Sequence, residues 1–189
     1  MFSCVFRNFK SIAGFAACLA AIFLVAGCDV SLEGDRVAFA RPLWLDLGGI
    51  AKGYAVDRAI AVLIEHGSRE ACVNAGGDLR RVGREPELVH VRGASSWLPA
   101  LELSSGSVAS SGDERIENAS TAGPHLDGRR RTRAIRGSRV SVVAERCAVA
   151  DALTKIVLAD PSFAETLLPR YEATALLHDP RGAWKVLGA

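Results

Sequence analysis

From Ile50 to His66 the apolar residues Ile50, Tyr54, Ala55, Ala59, Val62 and Leu63 return at helical intervals, and Gly67 follows as a stop. That spacing gathers them on one side of a helix, so the segment is expected to be amphipathic and packed on a core. Cys147 to Leu158 predicts a second helix, and Pro161 is placed to open another through Leu168. Elsewhere the pattern shortens. Arg36–Ala40, Leu43–Leu47, Leu88–Arg92, Leu98–Leu103 and Val140–Ala144 read as strands, with a turn at Gly93–Ser96. Ala71–Asn74 reads as a short buried strand broken at Gly76-Gly77. Glu172–Leu177 and Trp184–Leu187 flank Asp179-Pro180-Arg181-Gly182 and predict a closing hairpin. Val108–Asp113 reads as a flexible loop of small residues, and Arg115–Gly137, without periodicity, as a long one. Paired strands with two or three packed helices predict a single α+β domain around a mixed or antiparallel sheet.

The N-terminus departs from this pattern. Arg7 and Lys10 precede an uncharged apolar run from Ile12 to Gly27, which is shorter than the ~20 residues of a spanning helix and suits an export signal. It ends in Leu24-Val25-Ala26-Gly27-Cys28, which resembles a bacterial lipobox with Cys28 as the lipidated residue. An uncleaved anchor is the rival reading. Either predicts a domain tied to the membrane outside the cytoplasm, and Asp29 after the Cys resembles the signal for the inner membrane, periplasmic face. The chain then divides into a signal over 1–28, a short linker or strand over 29–42 and a domain over 43–189.

Composition narrows the partners. The 189 residues are 49% hydrophobic and 23% charged, ordinary for a globular chain, and a net charge of +2 selects no partner. Arginines crowd the segment from Arg129 to Arg139, but no aromatic residues interleave with them for stacking, which argues against nucleic acid. Cys72 and Cys147 sit in apolar contexts and are expected to be small buried hydrophobes, with no spacing that suggests zinc.

Five short clusters carry candidate chemistry. In the first, Asp46 precedes Gly48-Gly49 and Lys52 falls in the first turn of the predicted helix, an arrangement open to a phosphate site or an ordinary turn. The second, Val73-Asn74-Ala75-Gly76-Gly77-Asp78-Leu79, ends a strand in turn formers. The third is Ala109-Ser110-Ser111-Gly112-Asp113, and the fourth is His125-Leu126-Asp127. The fifth is Asp151-Ala152-Leu153-Thr154-Lys155, in which Asp151 stands in an apolar helical stripe. A carboxylate buried there requires a partner: a neighbouring lysine, or a hard cation suited to the oxygens of Asp and Thr.

The order and wording of these five clusters resemble the ApbE family of FAD:protein FMN transferases, from about Leu43 onward. The resemblance implies Mg²⁺-dependent transfer of FMN from FAD to a Ser or Thr hydroxyl of an exported or membrane flavoprotein, with release of AMP. It further implies that Asp46, Gly49, Lys52, Gly76, Gly77, His125 and Leu126 bind FAD. The metal would be held by the Gly49 carbonyl and Asp151, with Thr154 and Lys155, which stands at the place of the usual Thr, as its further candidates, and Lys52 and Asp151 would be the catalytic pair. Two departures qualify this. The place usually held by Thr, four residues after the metal Asp, is Lys155, and Thr154 lies one residue earlier, a rotation of about 100°. Thr154 is then expected to turn from the metal while Lys155 partly replaces the cation. The segment usually found upstream of Asp46 is also short, so exposed apolar surface, a homodimer or a second chain is expected, and a non-catalytic flavin-nucleotide or partner-binding module is the alternative function.

Overall fold

The computed structural model describes residues 2–5, 29–34, 36–42, 46–91, 100–112, 126–127, 132–133, 137–179 and 181–188. The chain forms two units, Met1–Leu47 and Gly48–Ala189. In the first, β1 (Phe2–Val5), β2 (Val30–Glu33) and β3 (Arg36–Phe39) make an antiparallel sheet in the order β1-β3-β2. Phe2–Val5 falls within the segment read as an export signal, and Cys28 lies outside the described residues. Of the strand expected over Leu43–Leu47, only Asp46 and Leu47 are described, and neither is in a strand.

The second unit carries the predicted α+β architecture. Its elements are α1 (Ala51–Glu65), β4 (Ala71–Ala75), β5 (Asp78–Val82), β6 (Glu87–His90), β7 (Ala100–Leu103) and β8 (Gly106–Gly112). There follow β9 (Leu126–Asp127), β10 (Thr132–Arg133), β11 (Arg139–Ala144), α2 (Cys147–Ala159) and α3 (Pro161–Leu167). A 3-10 turn (Leu168–Tyr171), β12 (Thr174–His178) and β13 (Trp184–Leu187) close the chain. Six strands form one antiparallel sheet in the order β13-β12-β11-β8-β5-β4, and β6 pairs with β7 as a separate ribbon.

Strand alternation sorts the two faces of this sheet. Register pairs Ser107 with Ala144, Ala109 with Val142 and Ser111 with Val140, so these six side chains share the face covered by helices. Val108, Ser110 and Gly112 belong to the other face with Val143, Ser141 and Arg139. α1 packs on β4 and β5, and α2 on β8 and β11. The core gathers Ala109, Val140, Val142, Leu153, Val157, Leu158 and Leu168, each buried leucine or valine contributing roughly 1.5–3 kcal/mol. Asp160 caps α3 by accepting the Phe163 N–H at 3.0 Å, with Pro161 in the first turn as its sequence suggests.

Three sequence expectations change. Val108–Asp113 is not a loop: residues to Gly112 belong to β8, the strand directly under α2. Its small side chains let the helix approach, and their hydroxyls are satisfied by Ser107 to the Glu145 carbonyl at 3.0 Å and Ser110 to Ser141 at 2.7 Å. Ala71–Asn74 is not a buried strand but lies in β4, the sheet edge, with alternating half-buried and exposed residues. For the same reason Cys72 is exposed, while Cys147 is buried as expected. Gly76-Gly77 ends β4 as expected, and turns the chain into β5 as a two-residue hairpin with φ of 63° and 101°. Both positive angles suit the primed turn such hairpins need.

Candidate functional site

Two helices without local caps build the centre of the site. Neither Ile50, which precedes α1, nor Arg146, which precedes α2, provides a side-chain cap. The first N–H groups of each helix nonetheless need acceptors. Asp151 of α2 accepts the Gly53 N–H of α1 through Oδ2 at 3.1 Å. In return Asp57 of α1 accepts the Cys147 and Ala148 N–H groups, each at 3.0 Å. A Cβ on Gly53 would stand 2.4 Å from the Cys147 carbonyl oxygen, so glycine is what lets the helices close to this distance. Arg80 of β5 completes the pairing at 2.6 Å from Asp57 Oδ1. Burial pushes the Cys147 thiol well above its ordinary value, with the negative charges of Asp78, Asp57 and Asp151 adding to it. That thiol is inert.

The other oxygen of Asp151 faces a lysine. Lys155 Nζ lies 3.0 Å from Asp151 Oδ1, 2.9 Å from Thr154 Oγ1 and 2.6 Å from Ser111 Oγ. Thr154 and Ser111 also bond each other at 2.9 Å, and the Thr154 hydroxyl donates to the Asp151 carbonyl at 2.6 Å. Gly49 lies against the lysine stem: its Cβ would stand 3.2 Å from Lys155 Cγ. Thr154 therefore does not turn away from Asp151 as the rotation argument expected. A residue three positions on shares a helix side with one four positions on, so Thr154 and Lys155 reach the same cluster.

Asp78, at the start of β5, is fully buried. Lys52 Nζ lies 3.3 Å from its Oδ2, an ion pair without hydrogen-bond alignment. Burial raises the Asp78 carboxyl above its ordinary range, and the charge of Asp151 raises it further; Lys52 opposes both. Asp78 and Asp151 thus stand close enough to repel, with one lysine answering each.

On the far face of the sheet a cleft of about 550 Å³ is lined by Asn74, Gly76, Gly77, Ser110 and Ser141, with Val89 and neighbouring residues of β6 also facing it. Ser111 belongs both to this lining and to the Lys155 cluster. The Gly77 N–H donates to Asn74 Oδ1 at 3.0 Å, fixing the turn at the cleft edge. The structure thus brings Gly49, Lys52, Asp151, Thr154 and Lys155 into one neighbourhood and sets Gly76 and Gly77 on the adjoining cleft. Asp46 belongs to the first unit, His125 lies outside the described residues, and Leu126 lies in β9, paired with β10. The sequence reading does not reach Asp57, Asp78 or Arg80 as site residues. Asp57 was findable, because Gly53, Val56, Asp57 and Ile60 form the buried stripe of α1 and a carboxylate there needs partners.

A divalent ion requires oxygens turned towards an empty centre. The oxygens of Asp151, Thr154 and Ser111 do converge, but on an ammonium, and no cluster of three or more His, Cys, Asp or Glu suited to a metal occurs among the described residues. As arranged, these residues do not fit Mg²⁺.

Residues 16–176 match the model of the ApbE family. The chain belongs to the ApbE family. The FAD:protein FMN transferase of Rhodobacter capsulatus is 34% identical over 134 residues, covering 66% of this chain. The ApbE chain spans 26% of that curated relative's length. The ApbE protein of Thermotoga maritima has the same fold, with a TM-score of 0.79 at 24% identity over 96% of this chain and 76% of its own. The apo flavinyl transferase ApbE of Pseudomonas stutzeri has a TM-score of 0.70 at 25% identity, over 97% of this chain and 63% of its own.

Proposed function

We propose that this chain carries the nucleotide-binding part of an FAD:protein FMN transferase. The reaction moves the FMN portion of FAD to a Ser or Thr hydroxyl of a target flavoprotein. The bond between the two phosphates breaks, a new phosphate–oxygen bond forms at the hydroxyl, its proton leaves, and AMP departs with the bonding electrons. One observation carries the reading: Lys52 and Lys155 stand with the buried Asp78 and Asp151 near the N-terminus of α1, and β8 has this cluster on one face and a cleft of nucleotide dimensions on the other. Family membership and the likeness to the Rhodobacter capsulatus transferase support it.

Phosphoryl transfer asks a protein mainly for position and charge neutralisation. Lys52 and Lys155 supply fixed positive charge for the diphosphate and for the charge that grows on the leaving AMP. Asp78 has no exposed surface and acts through Lys52, holding its ammonium at the site. Mg²⁺ dependence, implied by the family resemblance, would require Lys155 to leave its three oxygens. The acceptor is an exported or membrane flavoprotein if Cys28 anchors the chain to the inner membrane at its periplasmic face.

The test is to incubate the full chain with FAD and a flavoprotein domain bearing a surface Thr, then read in-gel flavin fluorescence and AMP. Covalent flavin on the acceptor together with AMP is expected. AMP without labelled acceptor would mean hydrolysis, and neither product would defeat the transferase reading. A second reading, a module that binds flavin nucleotide without transferring it, is favoured by the occupation of the oxygen cluster by Lys155. FAD binding without either product would establish it.

A further inference from the structure

We propose that Lys155 is a tethered cation that stands in for a divalent metal, so that this chain holds a dinucleotide's diphosphate without one. The inference rests on the reading of FAD as the ligand and deepens it.

Valence is the first support. A lysine ammonium has three N–H donors and no acceptor. Asp151 Oδ1, Thr154 Oγ1 and Ser111 Oγ supply three acceptors within 3.0 Å. The oxygens that could ligate a metal are therefore already spent on a cation of the chain's own.

Freedom of the carboxylate is the second. Asp151 Oδ2 accepts the Gly53 N–H, and the Asp151 side chain is 2% exposed. It cannot swing both oxygens to a metal without uncapping α1. Gly49 is the third: a side chain there would meet the Lys155 stem at 3.2 Å, so the absent side chain makes the groove in which the lysine lies.

Charge is the fourth. Asp78 and Asp151 face Lys52 and Lys155, so the cluster is balanced as it stands. Before a diphosphate binds, a divalent ion would leave two uncompensated positive charges against the ammonium of Lys155 and the buried carboxylates that already have their lysines. A diphosphate instead meets two ammonium groups already in place. Ser111 is the partner it can displace from Lys155, because the Ser111 hydroxyl keeps Thr154 as a second hydrogen-bond partner.

The experiment uses the full chain and two probes: Mn²⁺ followed by electron paramagnetic resonance, and FAD followed by quenching of flavin fluorescence in EDTA or in Mn²⁺. Wild type is expected to hold no Mn²⁺ at this site and to bind FAD equally in both conditions. Lys155→Met keeps the stem packed on Gly49, and Lys155→Thr supplies a hydroxyl in its place; using both guards against one failing to fold. Each is expected to bind one Mn²⁺, lost on adding Asp151→Asn, and to lose at least about tenfold in FAD affinity in EDTA, with recovery in Mn²⁺. One Mn²⁺ on wild type that disappears with Asp151→Asn, or a tenfold loss of wild-type FAD affinity in EDTA, overturns the proposal. Absence of FAD binding in every condition overturns the flavin reading instead, and the Mn²⁺ arm still decides the role of Lys155.

Discussion

Asp57 and Asp151 each cap the helix on which the other stands. The exchange ties the site to the fold, since the carboxylate that holds Lys155 also holds the first turn of α1. Asp57→Ala strands two buried N–H groups and the Arg80 guanidinium, and is expected to lower stability by about 3–5 kcal/mol. Asp57→Asn keeps an acceptor and is expected to cost less, about 1–3 kcal/mol. Urea unfolding monitored by circular dichroism measures both. Equal losses would mean that the charge of Asp57 contributes nothing beyond its shape.

Gly53→Ala tests the close approach of the helices. Alanine favours a helix over glycine by about 1 kcal/mol, so an isolated α1 would gain. Here the new methyl would meet the Cys147 carbonyl at 2.4 Å, backbone that cannot step aside cheaply. The expected outcome is a net loss of at least ~1–3 kcal/mol and weaker FAD binding. A variant as stable as wild type would mean that the helices can separate without disturbing the site.

Asp78 makes stability depend on acid. Its carboxyl is raised in the fold, above its ordinary value near 3.8, chiefly by burial. The folded protein therefore holds that proton more tightly than the unfolded chain. Its contribution is fully present below the ordinary value and is lost as pH rises through the folded one. Asp78→Asn removes this term, so the variant is expected to gain on wild type as pH is raised from about 3 to about 7. Paired thermal melts across that range show the trend, and a difference independent of pH would contradict it. Lys52→Met, which takes away the opposing charge, is expected to enlarge the acid dependence.

The β4–β5 turn separates backbone need from space. Nothing lies within 4 Å of a Cβ on Gly76 or Gly77, so only their positive φ restricts them. Asn tolerates the left-handed region, and Gly76→Asn is expected to be nearly neutral. Gly77→Val is expected to cost about 1–2 kcal/mol and to loosen the cleft edge. Comparing the unfolding midpoints of the two variants settles the point.

The helices were legible because their apolar spacing is local, and so was the partner that Asp151 required, but α1 buries Gly53, Val56, Asp57 and Ile60 and leaves Ala55, Val62 and Leu63 of the expected stripe exposed. β5 was not. Its helix-facing residues are Asp78, Arg80 and Val82, and two charges in an inward row hide a strand. Those charges make sense only beside Lys52 and Asp57, which local pattern does not bring near. β8 escaped for another reason: small residues suit a tightly covered strand, yet they are also the vocabulary of loops. Lys155 was visible as a departure from the family wording, but its three oxygen partners required Ser111 from across the fold.

The alternation along β8 has one more consequence. Ala109 serves the core, Ser110 the cleft and Ser111 the lysine, in three consecutive letters. Shifting the strand by a single residue would exchange the two faces, turning Ser107, Ala109 and Ser111 to the cleft and Val108, Ser110 and Gly112 to the helices. The chemistry of this protein is therefore read in a frame, and a one-residue insertion before Ser107 would scramble the message while leaving every letter intact.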